Sequence, residues 1–185
     1  MGRLYIIRHG KTDWNNLHKL QGRTDIPLNG EGRRMAEAAR EEYRDIHFDI
    51  CFCSPLRRAR ETAEILLRGR NIPIAYDDRL MEMSFGSYEG AENSFQIPGC
   101  PINVLFQAPE RYTDPPGGAE SLEALFERTD AFLRERVEPL LEDGLDVLIV
   151  GHGAMNSSIV SQVRGVSRAE FWSAGIENCK LMRLI

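Results

Sequence analysis

Two histidines stand at the ends of apolar, strand-like runs. Leu4 to Ile7 leads into Arg8-His9-Gly10, and Asp146 to Val150 leads into Gly151-His152-Gly153. In an open α/β sheet, residues just past the carboxyl ends of parallel strands line the ligand crevice, and flanking glycines let backbone N–H groups approach an anion. The chain has four histidines and two share this position; His18 and His47 read as surface residues. A third group, Ser54-Pro55-Leu56-Arg57-Arg58-Ala59, opens a helix after another strand-like run. With Ser54 as N-cap and Pro55 in the first turn, helix N–H donors and an arginine fork meet at one place, which suits phosphate. Arg57 and Arg58 differ by about 100° around a helix, so one of them at most points inward. A fourth is Glu82, between Leu80, Met81, Met83 and Phe85 beside a glycine turn, where a carboxyl group can act as a general acid. Each group also has a plain reading, as a strand exit, a turn, a solvated arginine or an ion-paired glutamate.

The elements that must position these groups alternate in type. Strand-like runs at 4–7, 49–53, 145–150 and 179–185 are separated by helical segments near 31–44, 56–69, 120–142 and 154–164. This alternation predicts an α/β fold, three-layer α/β/α, with a mainly parallel central sheet. In the longest helix, Leu122, Leu125, Phe126, Phe132, Leu133, Val137, Leu140 and Leu141 recur at three- and four-residue steps as a core stripe, and Pro139 is expected to kink or end it. Between Gly90 and Gly118 prolines and glycines break the pattern, so a lid-like insertion is expected at about 91–117 within a single domain spanning 1–185.

Composition limits the classes of function. The 185 residues, 42% hydrophobic and 28% charged, suit one domain that buries roughly 70% of its unfolded surface. A net charge of -5 without a Lys/Arg block gives no attraction to nucleic acid or acidic lipid. The first apolar run is too short for a signal peptide and no stretch reaches eighteen apolar residues, so a cytoplasmic location is expected. Cys51 and Cys53 share one face of a strand and Cys100 and Cys179 stand alone, so packing outweighs metal ligation or disulfide pairing.

Taken in order, Arg-His-Gly-Lys-Thr at 8–12, Trp14-Asn15, Gln21-Gly22, Asp25-Ile26-Pro27-Leu28, Ser-Pro-Leu-Arg-Arg-Ala at 54–59, Leu-Met-Glu at 80–82, Phe85-Gly86, Glu89-Gly90, Gly118-Ala119-Glu120-Ser121 and Gly-His-Gly at 151–153 form an ordered set. The chain resembles the histidine phosphatase superfamily, also called phosphoglycerate mutase-like, along essentially its whole length. The short bacterial phosphatases, α-ribazole phosphatase-like and broad-specificity members, look nearest.

The resemblance implies a catalytic set of His9, Glu82, Arg8, Arg58 and His152, with Asn15, Gln21, Gly22, Gly153 and Ala154 on the phosphate or substrate. It implies a phosphohistidine on His9, arginines and His152 around the phosphoryl oxygens, Glu82 as acid and then base, and neither metal nor cofactor. Thr62 either braces Arg58 or packs in the core, Thr12 is a loop cap or more, and Lys11 and Lys19 are either solvent-facing or near an anionic substrate. The chain departs from the commoner pattern at Ser157, where many members carry arginine, and at Tyr88, where tryptophan is frequent. The expected partner is a small-molecule phosphate monoester, hydrolysed rather than isomerised, because residues 91–117 offer only Arg111 as a basic side chain. A cofactor-dependent mutase, a protein phosphatase, a non-catalytic binding module and a homodimer stay open.

Overall fold

The computed structural model describes residues 1–185. Its sheet holds β1 (Leu4–Arg8), β2 (Ile50–Cys53), β3 (Ile74–Tyr76), β4 (Val147–Gly151) and β5 (Leu181–Arg183), in the order β3-β2-β4-β1-β5. All neighbours are parallel except β5, which runs antiparallel to β1 at the edge. β3 was not expected from the sequence, since Ile-Ala-Tyr is too short to display a period; β5 occupies only the middle of the 179–185 run.

Alternation along the strands sorts the core into two halves. Leu4, Ile6, Phe52, Val147 and Ile149 face one side, packed by α5 (Leu122–Phe132) and α7 (Gly153–Arg164). Tyr5, Ile7, Cys51, Cys53, Leu148 and Val150 face the other, against α2 (Gly30–Glu42) and α3 (Arg57–Leu66). The central strands are thus apolar on both faces, as a sheet covered by helices on each side requires, and the architecture is the three-layer α/β/α expected. Cys51, Cys53 and Cys179 are buried free thiols whose pKa burial pushes up.

Of two local expectations, one is narrowed and one corrected. Pro139 does not end its helix: α5 continues through a π turn at Leu133–Val137 into α6 (Glu138–Glu142). The wide turn accommodates the carbonyl that the ring would otherwise strike and the N–H it lacks. Nor is Ser54 the N-cap of α3. The helix starts at Arg57 after Leu56, which makes no side-chain cap, and Asp25 reaches across to accept from Arg57 N at 2.7 Å.

Residues 91–117 form successive short turns and one short helix, α4 (Val104–Gln107). Ile102, Leu105 and Tyr112 from this stretch are buried in the core, and Asn103 donates to the Ser94 carbonyl at 2.7 Å. A short antiparallel clip, with Leu20 N donating to Ala91 O and Gly90 N to Leu20 O, ties its start to the loop after α1 (Asp13–Asn16).

Candidate active site

The parallel strands β1, β2 and β4 end at one edge of the sheet, and the chemistry collects there. Arg8, His9, Asn15, Gln21, Gly22, Arg58, Glu82, Gly153 and Ala154 all line one cavity of about 250 Å3, joined by Lys19, Leu20, Phe85, Phe106 and Trp172. His152 lies directly behind this wall, fully buried, its ring centroid 5.2 Å from that of His9.

His9 is held at three points. Its Nδ1 lies 2.6 Å from the Gly10 carbonyl, which can only accept, so Nδ1 carries the proton and Nε2 the lone pair. Asn178 donates to the His9 carbonyl at 2.7 Å, and Gly10 N donates to Thr62 Oγ1 at 3.0 Å. Thr62 in turn donates to the Arg58 carbonyl, so it ties the histidine loop to α3 and does not touch the Arg58 guanidinium. At Gly10 a Cβ would lie 2.5 Å from the Gly32 carbonyl, so only glycine permits this close approach to α2.

Burial, with the charges of Arg58 and Arg8 beside it, holds His9 well below the ordinary imidazole pKa. The same causes, burial first and then Arg58, keep His152 neutral. Ser54 Oγ lies 2.7 Å from His152 Nε2 and accepts from Leu56 N. This bond is the work Ser54 does in place of the expected cap.

Arg58 is fully buried while Arg57 is exposed, as the 100° step requires. Its guanidinium donates to the carbonyls of Gly22 (2.6 Å) and Thr24 (2.9 Å), and burial brings its pKa down to about 10, still charged at neutral pH. Arg8 donates to the Ile176 carbonyl at 3.1 Å, and burial lowers its pKa as well. Three buried nitrogens of this group, Arg8 Nε, Arg58 Nε and His152 Nδ1, have no hydrogen-bond partner in the protein. Buried polar atoms without partners are costly and rare, and the two guanidinium N–H groups among them, beside His9, make a place for an oxyanion.

Glu82 is buried beside the core residues Leu80, Met83 and Phe85 that flank it in sequence. Its carboxylate sits at the start of α7, where Oε1 accepts from Met83 N (2.8 Å) and Met155 N (3.0 Å) and Oε2 from Ala154 N (3.2 Å). The N-terminus of α7 is therefore used to hold the carboxylate. A Cβ on Gly153 would stand 3.6 Å from Oε2 and 3.7 Å from the Arg8 guanidinium carbon, so this glycine keeps the gap between them open.

The loop between α1 and α2 completes the wall. Thr12 forms a capping box with Asn15 and donates to Gln21 Oε1 at 2.9 Å, leaving the NH2 end of each amide as the available one. Lys19 borders the cavity, whereas Lys11 pairs with Glu31 outside it. Ser157 is buried, away from the cavity wall.

Three contributors escaped the sequence reading. Glu89 accepts from Arg23 N (3.0 Å), Thr24 N (2.9 Å), Thr24 Oγ1 and Phe85 N (3.2 Å), and so binds the loop that carries Arg58's acceptors to the segment that carries Glu82. Its place in Glu-Gly was the signal available. Phe106 and Trp172 lie in stretches with no periodic or motif signal at all.

This edge-of-sheet cavity sets one oriented histidine among buried cations on an α/β scaffold. Residues 4–185 match the histidine phosphatase superfamily (branch 1), and the chain belongs to that family. Among curated relatives it is 35% identical over 166 residues to a 2,3-bisphosphoglycerate-dependent phosphoglycerate mutase of Cytophaga hutchinsonii, covering 89% of this chain and 78% of that one. It is also 35% identical to the uncharacterized phosphatase PhoE of Bacillus subtilis, over 86% of this chain and 76% of the relative. Among solved structures, Bacillus stearothermophilus YhfR superimposes with a TM-score of 0.88 at 30% identity, covering 99% of this chain and 90% of that one. The α-ribazole phosphatase from Shigella flexneri gives 0.83 at 25% identity, over 98% and 89%. The family's relatives thus include both phosphatases and mutases.

Proposed function

We propose that this protein hydrolyses small phosphate monoesters without a metal, through a phosphohistidine on His9. The observation that carries the reading is the pair of buried guanidinium N–H groups without acceptors, Arg8 Nε and Arg58 Nε, with the unpartnered His152 Nδ1, beside a histidine whose Nε2 lone pair is fixed by the Gly10 carbonyl.

His9 Nε2 attacks phosphorus as the bond to the ester oxygen breaks, and Glu82 delivers a proton to the departing alkoxide. Ionised, Glu82 then takes a proton from water, whose oxygen attacks the phosphohistidine and restores His9. The arginines and His152 meet charge on the three equatorial oxygens, the main demand of phosphoryl transfer. Because burial and two cations keep His9 neutral, the nucleophile stays available well below the usual imidazole range.

The test is phosphate release in EDTA from a panel containing α-ribazole phosphate, 3-phosphoglycerate, sugar phosphates, phosphotyrosine and p-nitrophenyl phosphate, with His9→Ala as control. The expected result is chelator-resistant release that His9→Ala abolishes while circular dichroism stays unchanged. Turnover by the alanine variant, or loss in EDTA with recovery on adding metal, overturns the mechanism.

Phosphoryl return to a second hydroxyl is the second reading, favoured by the similarity to the Cytophaga mutase. It requires phosphate from 2,3-bisphosphoglycerate to remain on His9 and isomerisation of 3-phosphoglycerate to outrun release.

A further inference from the structure

The cavity is lined by two unlike groups. Arg8, His9, Arg58 and Glu82 form one; the apolar Leu20, Phe85, Phe106 and Trp172 form the other. The Phe106 and Trp172 rings lie nearly parallel, 24° apart with centroids at 5.4 Å, and Phe95 packs edge-on against Phe106 at 4.9 Å. Trp172 Nε1 donates to the Leu105 carbonyl at 2.8 Å, which satisfies the indole's only polar atom and fixes the ring. Both rings are only partly buried, so aromatic surface faces the cavity.

Charge beyond the catalytic group is scarce in this lining. Besides Arg8 and Arg58, Lys19 is its one basic side chain; the Lys19 ammonium lies 3.9 Å from the Glu92 carboxylate and 5.8 Å from the Trp14 ring centroid. Arg111 does not line the cavity, and its side chain is 80% exposed. A carboxylate or second phosphate on the alcohol portion would meet a single, already partnered ammonium, whereas a ring would meet four apolar side chains. A neighbouring cavity shares Asn15, Lys19 and Leu20 with the first and extends the surface to Phe95.

Building on the phosphatase reading above, we propose that Phe106 and Trp172 form a subsite for an uncharged, ring-bearing alcohol portion of the phosphate monoester. The subsite selects such esters over those carrying a second anionic group.

The experiment compares 2-phenylethyl phosphate, ethyl phosphate and 3-phosphoglycerate; the first two have alcohols of similar acidity, so their difference reads the ring. In the unaltered protein kcat/KM for 2-phenylethyl phosphate is expected to exceed that for ethyl phosphate by about tenfold or more, and to exceed that for 3-phosphoglycerate. Trp172→Ala is expected to bring the ratio of the first two to within about threefold and Trp172→Phe to restore it. Because the ratio is taken within one variant, the amount of folded protein does not affect it. A ratio near one in the unaltered protein, preference for 3-phosphoglycerate, or an unchanged ratio in Trp172→Ala overturns the subsite.

Calorimetric binding of the same esters to His9→Ala separates the two claims. Tighter binding of 2-phenylethyl phosphate than of ethyl phosphate supports the subsite even if no ester is hydrolysed, an outcome that sinks only the phosphatase reading. Hydrolysis with no binding preference sinks only the subsite.

Discussion

In the proposed mechanism Glu82 has two duties, and its geometry is unusual for a proton donor because three backbone N–H groups already occupy its oxygens. Its contribution should depend on how much help the leaving alcohol needs. Glu82→Gln keeps the shape and one acceptor oxygen but cannot transfer a proton. It is expected to lower kcat about 10²- to 10⁴-fold for an alkyl phosphate and much less for p-nitrophenyl phosphate, whose phenolate leaves unaided. Steady-state rates on the two esters check this; equal losses would show that Glu82 serves only to hold the start of α7. At this scale the five residues singled out in the sequence, His9, Arg8, Arg58, Glu82 and His152, gather in one place. Side-chain type and strand-end position made them visible. The partners that orient them were not visible, because the Gly10 carbonyl, the Gly22 and Thr24 carbonyls and Ser54 Oγ act through folded distances that no local pattern encodes.

Among the elements, the loop at 21–25 carries more of the site than its length suggests. Gly22 has φ of +56°, and a Cβ there would stand 2.2 Å from Glu89 Oε1. Gly22→Ala therefore both strains the backbone and pushes away the carboxylate that ties the loop down, with an expected loss of about 1–3 kcal/mol in urea unfolding. Glu89→Gln removes one strong acceptor from the same hub and frees the carbonyls that hold Arg58. It is expected to lower kcat/KM about tenfold at temperatures far below unfolding, where the folded population is unchanged. Activity equal to the unaltered protein under those conditions would reduce Glu89 to a stabilising role. Long elements were legible from periodicity: the apolar runs of β1 and β4 and the stripe of α5 announce themselves. The short ones were not, since three residues of β3 show no period and the turns across 91–117 owe their order to Ile102 and Leu105 reaching the core.

For the molecule as a whole, two neutral buried histidines leave a thermodynamic signature. Both His9 and His152 have folded pKa values well below that of an exposed imidazole, burial being the first cause. The unfolded chain takes up two protons as pH falls through about 6.5, while the folded protein takes up none until the lower folded values are reached. Stability is therefore full above this range and is lost on acidification, by about 1.4 kcal/mol per pH unit for each histidine. Urea midpoints measured from about pH 7.5 down to about pH 5 should show this slope, and His152→Gln should reduce it by about half. A midpoint that rises on acidification would contradict the buried neutral pair. No helix is long and apolar enough to cross a membrane. Finally, β1, which delivers Arg8 and His9, lies between β4 and β5, with Leu4 beside Val147 and Tyr5 beside Arg183. During synthesis β1 can find its neighbours only after the chain through β4 and β5 has emerged. Until then the nascent chain carries an unpaired apolar strand and no assembled site, and completion of the site waits on its most distant pairings.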